Sequence, residues 1–158
     1  MKYKRSELDD GKILRKLIKQ FHEDQSVKNE IQILECLRDS YIYMPCDIII
    51  CNKDMKKFEN SNVGDYIKTE EEIIIRPDSY KLDDEIIMPI FSCKEEMNKC
   101  YKTYHDSIKI HFIYAMKKCL EDEKYYGLTI DVNGYGYGFS KEMFNSILCI
   151  PSNVIDDE

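Results

Sequence analysis

Apolar positions near the start of the chain recur with a helical period. Ile13, Leu14, Leu17, Ile18 and Phe21 form one stripe with lysines opposite, which predicts a helix over 11–22. Asp24-Gln25-Ser26 breaks the pattern. A second helix is predicted over 27–39, with Val27, Ile31, Leu34 and Leu37 on its inner face and Ser26 as N-cap. The period then shortens. Tyr41-Ile42-Tyr43-Met44 reads as a strand, and Pro45, which lacks an amide donor, is expected to interrupt the ladder or mark an edge. The β-branched run Asp47 to Cys51 resumes it. Residues 52–70 are polar and read as a loop, most clearly at Asn60-Ser61-Asn62-Val63-Gly64-Asp65. Glu72 to Arg76 is a strand, and Arg76-Pro77-Asp78-Ser79 starts a turn.

Glu85 to Phe91 predicts a strand that runs into a helix start. Ser92 and Glu95 have capping-box spacing, and the helix over 93–104 would pack Met97, Cys100, Tyr101 and Tyr104. A short strand over 107–110 precedes a helical stripe of Phe112, Met116, Cys119 and Leu120. Leu128 to Val132 is a strand. Asn133-Gly134 follows, the pair that a two-residue type I′ hairpin favours, and Tyr135 to Phe139 alternates as a return strand should. Ser140 is placed to cap a last helix with Met143, Phe144, Ile147 and Leu148 inside. The elements lack a regular βαβ rhythm. They predict an α+β fold with a mixed β-sheet of about five strands packed against helices. The expected organisation is an N-terminal helical extension over 1–26, an α+β domain over 27–150 and a frayed tail over 151–158.

Composition narrows the setting. The chain has 158 residues, 43% hydrophobic and 34% charged, enough apolar content for a core under a heavily solvated surface. No stretch reaches the roughly 20 apolar residues of a membrane span, so no membrane partner is expected. Met1-Lys2-Tyr3-Lys4-Arg5 is basic, but polar residues follow where a secretory signal needs an apolar run. The net charge of −7 and only four arginines argue against nucleic acid, whose backbone requires a basic face. The seven cysteines are odd in number and contain no Cys-x-x-Cys pair. Free thiols used as small hydrophobes in a reducing cytoplasm are the expectation.

The order of several short motifs resembles a known family. Ile87-Met88-Pro89-Ile90-Phe91-Ser92 followed by Glu95-Glu96 on a helix resembles the "L-P-V-F-T, then acidic helix" segment of the SseB N-terminal domain family, named for a bacterial enhanced-serine-sensitivity protein. A helix running into Ser40-Tyr41-Ile42-Tyr43-Met44-Pro45 is similar to its "helix, then L-Y-V-P strand". Gly127 to Gly136 is similar to its "G-hydrophobic-N-P-x-G" segment, with Gly134 where the family tends to have proline. The resemblance spans roughly residues 27–149 and leaves 1–26 outside. It implies a bacterial cytoplasmic domain, and it carries over no catalytic residue. The family name associates it with serine or sulfur-transfer metabolism, which is an association only.

Candidate chemistry is sparse. A persulfide-forming cysteine needs a cradle of amides or arginines, and none of the seven opens such a loop. Cys100, His105 and His111 match no zinc spacing. Gly134, Gly136 and Gly138 alternate strictly, which suits a hairpin and not a phosphate loop. No catalytic residue, metal site or cofactor is therefore expected. The residual signal is aromatic. Tyr135 and Tyr137 are two apart, so a hairpin would project them from one face, and with Asn133 they form the candidate partner-binding residues. Packing of these rings across the sheet onto Tyr125 or Tyr126 is the structural alternative. The expected function is a non-enzymatic protein-binding or regulatory module, with an immunity-protein-like role as a variant and a homo-oligomer left open. The alternative is an enzyme or accessory factor in amino-acid or sulfur metabolism.

Overall fold

The computed structural model describes residues 2–156. In chain order the elements are β1 (Tyr3–Lys4), α1 (Arg5–Leu8), α2 (Lys12–Glu23), α3 (Val27–Arg38), β2 (Tyr41–Ile49), α4 (Asn52–Glu59), β3 (Ile74–Pro77), β4 (Tyr80–Leu82), β5 (Glu85–Ile90), α5 (Lys94–Cys100), β6 (Ser107–His111), α6 (Phe112–Glu121), β7 (Tyr125–Ile130), β8 (Tyr137–Ser140), α7 (Phe144–Leu148) and β9 (Val154–Ile155). The fold is α+β. Its strands form three sheets in place of the single five-stranded one expected: β1-β9, β3-β2-β6 and β4-β5-β7-β8. The four-stranded sheet is mixed, since β5 and β7 run parallel while its other pairs are antiparallel. The sequence shows no hint of the β4–β5 hairpin, whose turn places Asp83 at φ 53. Among the described residues no helix is long and apolar enough to cross a membrane.

β2 organises the layout. Its first half pairs with β6, from Tyr41 opposite His111 to Pro45 opposite Ser107, and its second half pairs with β3. On the edge opposite β6, which is also the edge that β3 uses, Tyr43 exchanges two backbone hydrogen bonds with Phe91, both 2.8 Å, which joins the two larger sheets. Pro45 therefore does not interrupt the strand. Its missing amide falls at a position whose backbone faces away from β6, and its carbonyl accepts from the Asp78 N–H at 3.0 Å.

Ser26 caps α3, accepting from the Asn29 N–H at 3.3 Å. The buried stripe of α3 is Ile33, Cys36 and Leu37, whereas Val27 and Ile31 are 70% and 47% exposed. Two overlapping apolar stripes run along this helix; packing against α2, α6 and α7 buries the C-terminal half of the predicted one, with Leu37 inside and Leu34 partly so, and turns to Ile33 and Cys36 in place of Val27 and Ile31. The first 26 residues are not an extension. Tyr3, Leu8, Leu14, Leu17 and Ile18 belong to the same core as Ile42, Met88 and Phe112. Gly11 starts α2 at φ +69, and a Cβ there would lie 2.5 Å from the Ser92 carbonyl oxygen, so both the backbone angle and the space require glycine.

Two buried carboxylates hold segments that periodicity does not predict. Asp39 is 1% exposed and closes α3. It receives Arg38 Nη1 at 2.8 Å, the Ser152 hydroxyl at 2.8 Å and the Asn153 N–H at 2.9 Å. Those bonds deliver Val154–Ile155 to pair with Tyr3–Lys4, so the tail expected to fray is tied down as far as the described residues reach; Asp157 and Glu158 lie outside them. Asp54, fully buried, does the same for residues 60–73. It accepts from the Glu70 and Glu71 N–H groups at 2.9–3.1 Å and from the Cys51 thiol at 3.1 Å. The 52–70 segment was expected to be loop throughout, but 52–59 is α4. Its only buried residue is this carboxylate, so no apolar period advertises the helix.

Removing the Asp39 carboxylate leaves buried donors unpaired. Asp39→Ala is expected to cost about 3 kcal/mol in urea unfolding and to expose the 152–155 amides to exchange, while Asp47→Ala on the exposed side of β2 does neither. The amide bonds on Asp54 hold its pKa well below the usual carboxylate range. Its contribution is therefore complete above about pH 4, the unfolded value, and is lost as pH falls below that. Protection factors of the amides across residues 60–73, corrected for the intrinsic pH dependence of exchange, should fall on acidification below about pH 4 in the native chain and lose that dependence in Asp54→Asn.

Candidate partner-binding surfaces

The β7–β8 connection is a hairpin, but not the two-residue turn expected. Ile130 pairs with Tyr137, which leaves residues 131–136 as the loop. The positive-φ positions are Asp131 (φ 50) and Gly136 (φ 59), not Asn133 and Gly134. The Gly134 N–H closes onto the Asp131 carbonyl at 2.8 Å. The reason lies beneath the loop. Asp131 is 3% exposed, and its carboxylate accepts from the Ser92 N–H at 2.9 Å and the Ser92 hydroxyl at 2.6 Å. Ser92 is thereby diverted from the predicted capping box. Cys93 becomes the N-cap of α5 without a side-chain cap.

This loop separates the candidate residues. Tyr137 is buried, edge-on to Phe21 at 5.4 Å and against Phe139 at 4.7 Å, and its hydroxyl donates to Glu30. Tyr135 is 55% exposed and leans on His22, with Lys19 Nζ 5.9 Å from its ring centre. The expectation that Tyr135 and Tyr137 share a face therefore fails, because Tyr135 lies in the loop and only Tyr137 in the strand. Neither packs on Tyr125 or Tyr126. Tyr125 is instead buried beside β3, its hydroxyl donating to the Pro77 and Asp78 carbonyls. Asn133 turns its side-chain amide inward, to the Lys99 carbonyl at 3.2 Å and Cys100 Sγ at 3.0 Å, closing the end of α5.

Between this loop and α2 is a cavity of about 30 Å³ lined by Arg15, Ile18, Glu96, Asp131, Tyr135 and Gly136, room for a single water. Arg15 Nη1 donates to the Ser92 hydroxyl at 3.3 Å and to the Asp10 carbonyl at 3.1 Å. Burial raises the Asp131 pKa, and Ser92 partly offsets the rise. Ser92 is itself 2% exposed, so a Ser–Asp pair with catalytic potential is sealed from any substrate. Its role is to hold a left-handed aspartate.

Three of the seven thiols are buried in the core. Burial pushes the Cys36, Cys46 and Cys119 thiols up to about 11, where they are protonated and poor nucleophiles. His105 Nε2 lies 2.7 Å from Asp78 Oδ2, which also receives the Tyr101 hydroxyl at 2.7 Å, and the His105 and Tyr101 rings stack at 4.3 Å. This cluster pins the 101–106 segment to the turn after β3 and brings no thiol to the imidazole. Among the described residues no group of three His, Cys, Asp or Glu side chains could hold a metal ion.

An apolar concavity lies elsewhere, on a surface with no local sequence motif. A groove of about 450 Å³ runs along the outer side of β6, lined by Met44, Ile75, Ile108, Ile110 and Tyr114, with Tyr41, Lys109, His111 and Lys118 around it. Cross-strand pairing explains the floor. Ile42 faces Ile110, Met44 faces Ile108 and Ile48 faces Ile75, so these side chains share one side of the sheet. α6 crosses that side and supplies Tyr114, 63% exposed. No carboxylate lines the groove. His111 accepts the Ile113 N–H on Nδ1 at 3.2 Å, and burial followed by the charges of Arg5 and Arg38 lowers its pKa, which keeps the ring neutral near pH 7.

No family profile, curated protein or solved structure matches the chain.

Asp131→Asn is expected to keep the fold near pH 7, since asparagine accepts the left-handed angle and retains an acceptor for the Ser92 N–H. The raised native pKa means that the wild-type chain gains stability as pH falls through the window just above the unfolded value of about 4. Urea midpoints should show that gain in the native protein and its loss in Asp131→Asn. Asp131→Ala should cost about 2 kcal/mol near pH 7 and more as pH falls toward about 4.

Proposed function

We propose that this chain is a non-enzymatic protein-binding module and that its contact surface is the groove beside β6. The carrying observation is the groove itself, a partly exposed apolar floor bounded by an open strand edge and an exposed tyrosine. An apolar concavity with a few polar groups at its rim is the usual form of a recognition site, and an exposed aromatic beside it is a typical anchor. Supporting the non-enzymatic side, Ser92 is sealed under Asp131, and the three buried thiols are held protonated. The resemblance to the SseB N-terminal domain family supports the same reading, because it carries over no catalytic residue. A bacterial cytoplasmic setting suits seven free thiols.

Asn133 and Tyr135 offer a second, smaller contact area. Tyr135 is exposed there, but Asn133 is occupied by α5 and Tyr137 is inside, so the groove carries more of the reading.

Selection of a random twelve-residue peptide library on the folded chain tests it. Enriched peptides should lose at least about tenfold in affinity on Tyr114→Glu, a change at an exposed position that leaves the fold intact by circular dichroism, and keep their affinity on Tyr135→Ala. Failure to enrich any sequence, or enrichment indifferent to Tyr114→Glu, would sink the proposal.

A further inference from the structure

The geometry points to a specific occupant of this groove: an extended segment of another protein, carrying an acidic residue between two apolar ones, added to β6 as a further strand. This rests on the groove being the contact surface, and it names the partner's chemistry.

The backbone of β6 is set up for it. Cys46 donates to the Asp106 carbonyl at 3.1 Å and Phe112 to the Ser40 carbonyl at 2.9 Å. These bonds bracket the β2–β6 ladder and fix its phase. In an antiparallel pair the hydrogen-bonded residues alternate, so Ile108 and Ile110 spend their backbone groups on β2. The N–H and C=O of Ser107 and Lys109 and the N–H of His111 then point away from it. β6 is the end strand of its sheet, and among the described residues its substantial contacts are with β2 and α6 alone. An unpaired edge of this kind is a template for strand addition.

The side chains decide which strand fits. A partner residue opposite Lys109 would project on the same side of the sheet as Lys109 and Tyr43, which are themselves directly opposed. That side is basic: Lys109 Nζ and Lys94 Nζ both lie over the Tyr43 ring, at 5.8 and 5.9 Å. Lys109 is exposed, and its ammonium donates to the Asp9 carbonyl, not to a carboxylate, so its charge is not neutralised by a partner. The two neighbours of that partner residue would project to the other side, into the groove of Ile108, Ile110 and Tyr114. The pattern required is apolar–acidic–apolar. Lys118 at the rim pairs with Glu121 at 3.2 Å and adds less. A second copy of this chain is the wrong occupant, because symmetric antiparallel pairing centred on β6 would set Lys109 against Lys109, and like charges directly opposed are destabilising.

Three labelled peptides, identical except for a central Val-Glu-Val, Val-Gln-Val or Val-Lys-Val, test this by fluorescence anisotropy at low salt and by amide exchange on the full chain. The expected order of affinity is Glu, Gln, Lys, with about tenfold between the extremes and a narrower gap in high salt. The Lys109 amide should become protected on binding. Lys109→Glu should invert the order, and Lys109→Gln, milder at this exposed position, should abolish it. Binding without a charge order would overturn the partner chemistry while leaving the groove as a contact surface. Charge-ordered binding without protection at Lys109 would overturn strand addition. Concentration-dependent dimerisation that protects β6 would overturn the choice of a foreign partner. If none of the three peptides binds, this inference fails, and the library selection with Tyr114→Glu decides separately whether the groove reading fails with it.

Discussion

Everything in this molecule is arranged around the two edges of β2. One edge holds β6, and the other exchanges paired hydrogen bonds with Phe91 through Tyr43 and then holds β3. With Phe91 and β3 on one edge of β2 and β6 on the other, β6 is the end strand of its sheet, and its far edge and the apolar groove beside it stay open. Pro45 fits the same logic, since it stands where an amide toward β6 is not needed.

Edges of this kind carry a hazard of uncontrolled pairing. Here the edge is short, and its central outward-facing residue is a lysine, which limits self-association while leaving the backbone available. The charge that discourages a second copy is the charge that would select an acidic partner. That the chain is strongly acidic overall, at −7, makes a basic stripe at this strand more telling, because the surrounding surface would repel the same partner elsewhere.

Buried carboxylates do most of the organising outside the regular elements. Asp39 secures the C-terminal strand, Asp54 the long segment before β3, and Asp131 the loop that separates Tyr135 from Tyr137. Each accepts backbone N–H groups that no helix or sheet satisfies, which offsets the cost of burying a carboxylate. The same commitments withdraw Ser92, the residue best placed for chemistry, from the surface. The molecule spends its polar groups on holding irregular backbone in place.

The sequence by itself determined the α2, α3 and α6 helices, the β2, β5 and β7 strands, and the use of Cys36, Cys46 and Cys119 as core filler. These are local consequences of hydrophobic period and capping, as at Ser26, and need no knowledge of neighbours. What lay beyond reach depended on pairs distant along the chain. Which of two stripes α3 buries was decided by α2, α6 and α7, whether Asn133-Gly134 makes a tight turn by Ser92, and whether the tail frays by Asp39. The α4 helix left no trace because a carboxylate, not an apolar stripe, anchors it. The groove was invisible for the same reason: its floor is drawn from β2, β3, β6 and α6, and only sheet register brings Met44, Ile75 and Ile110 to one side of one edge.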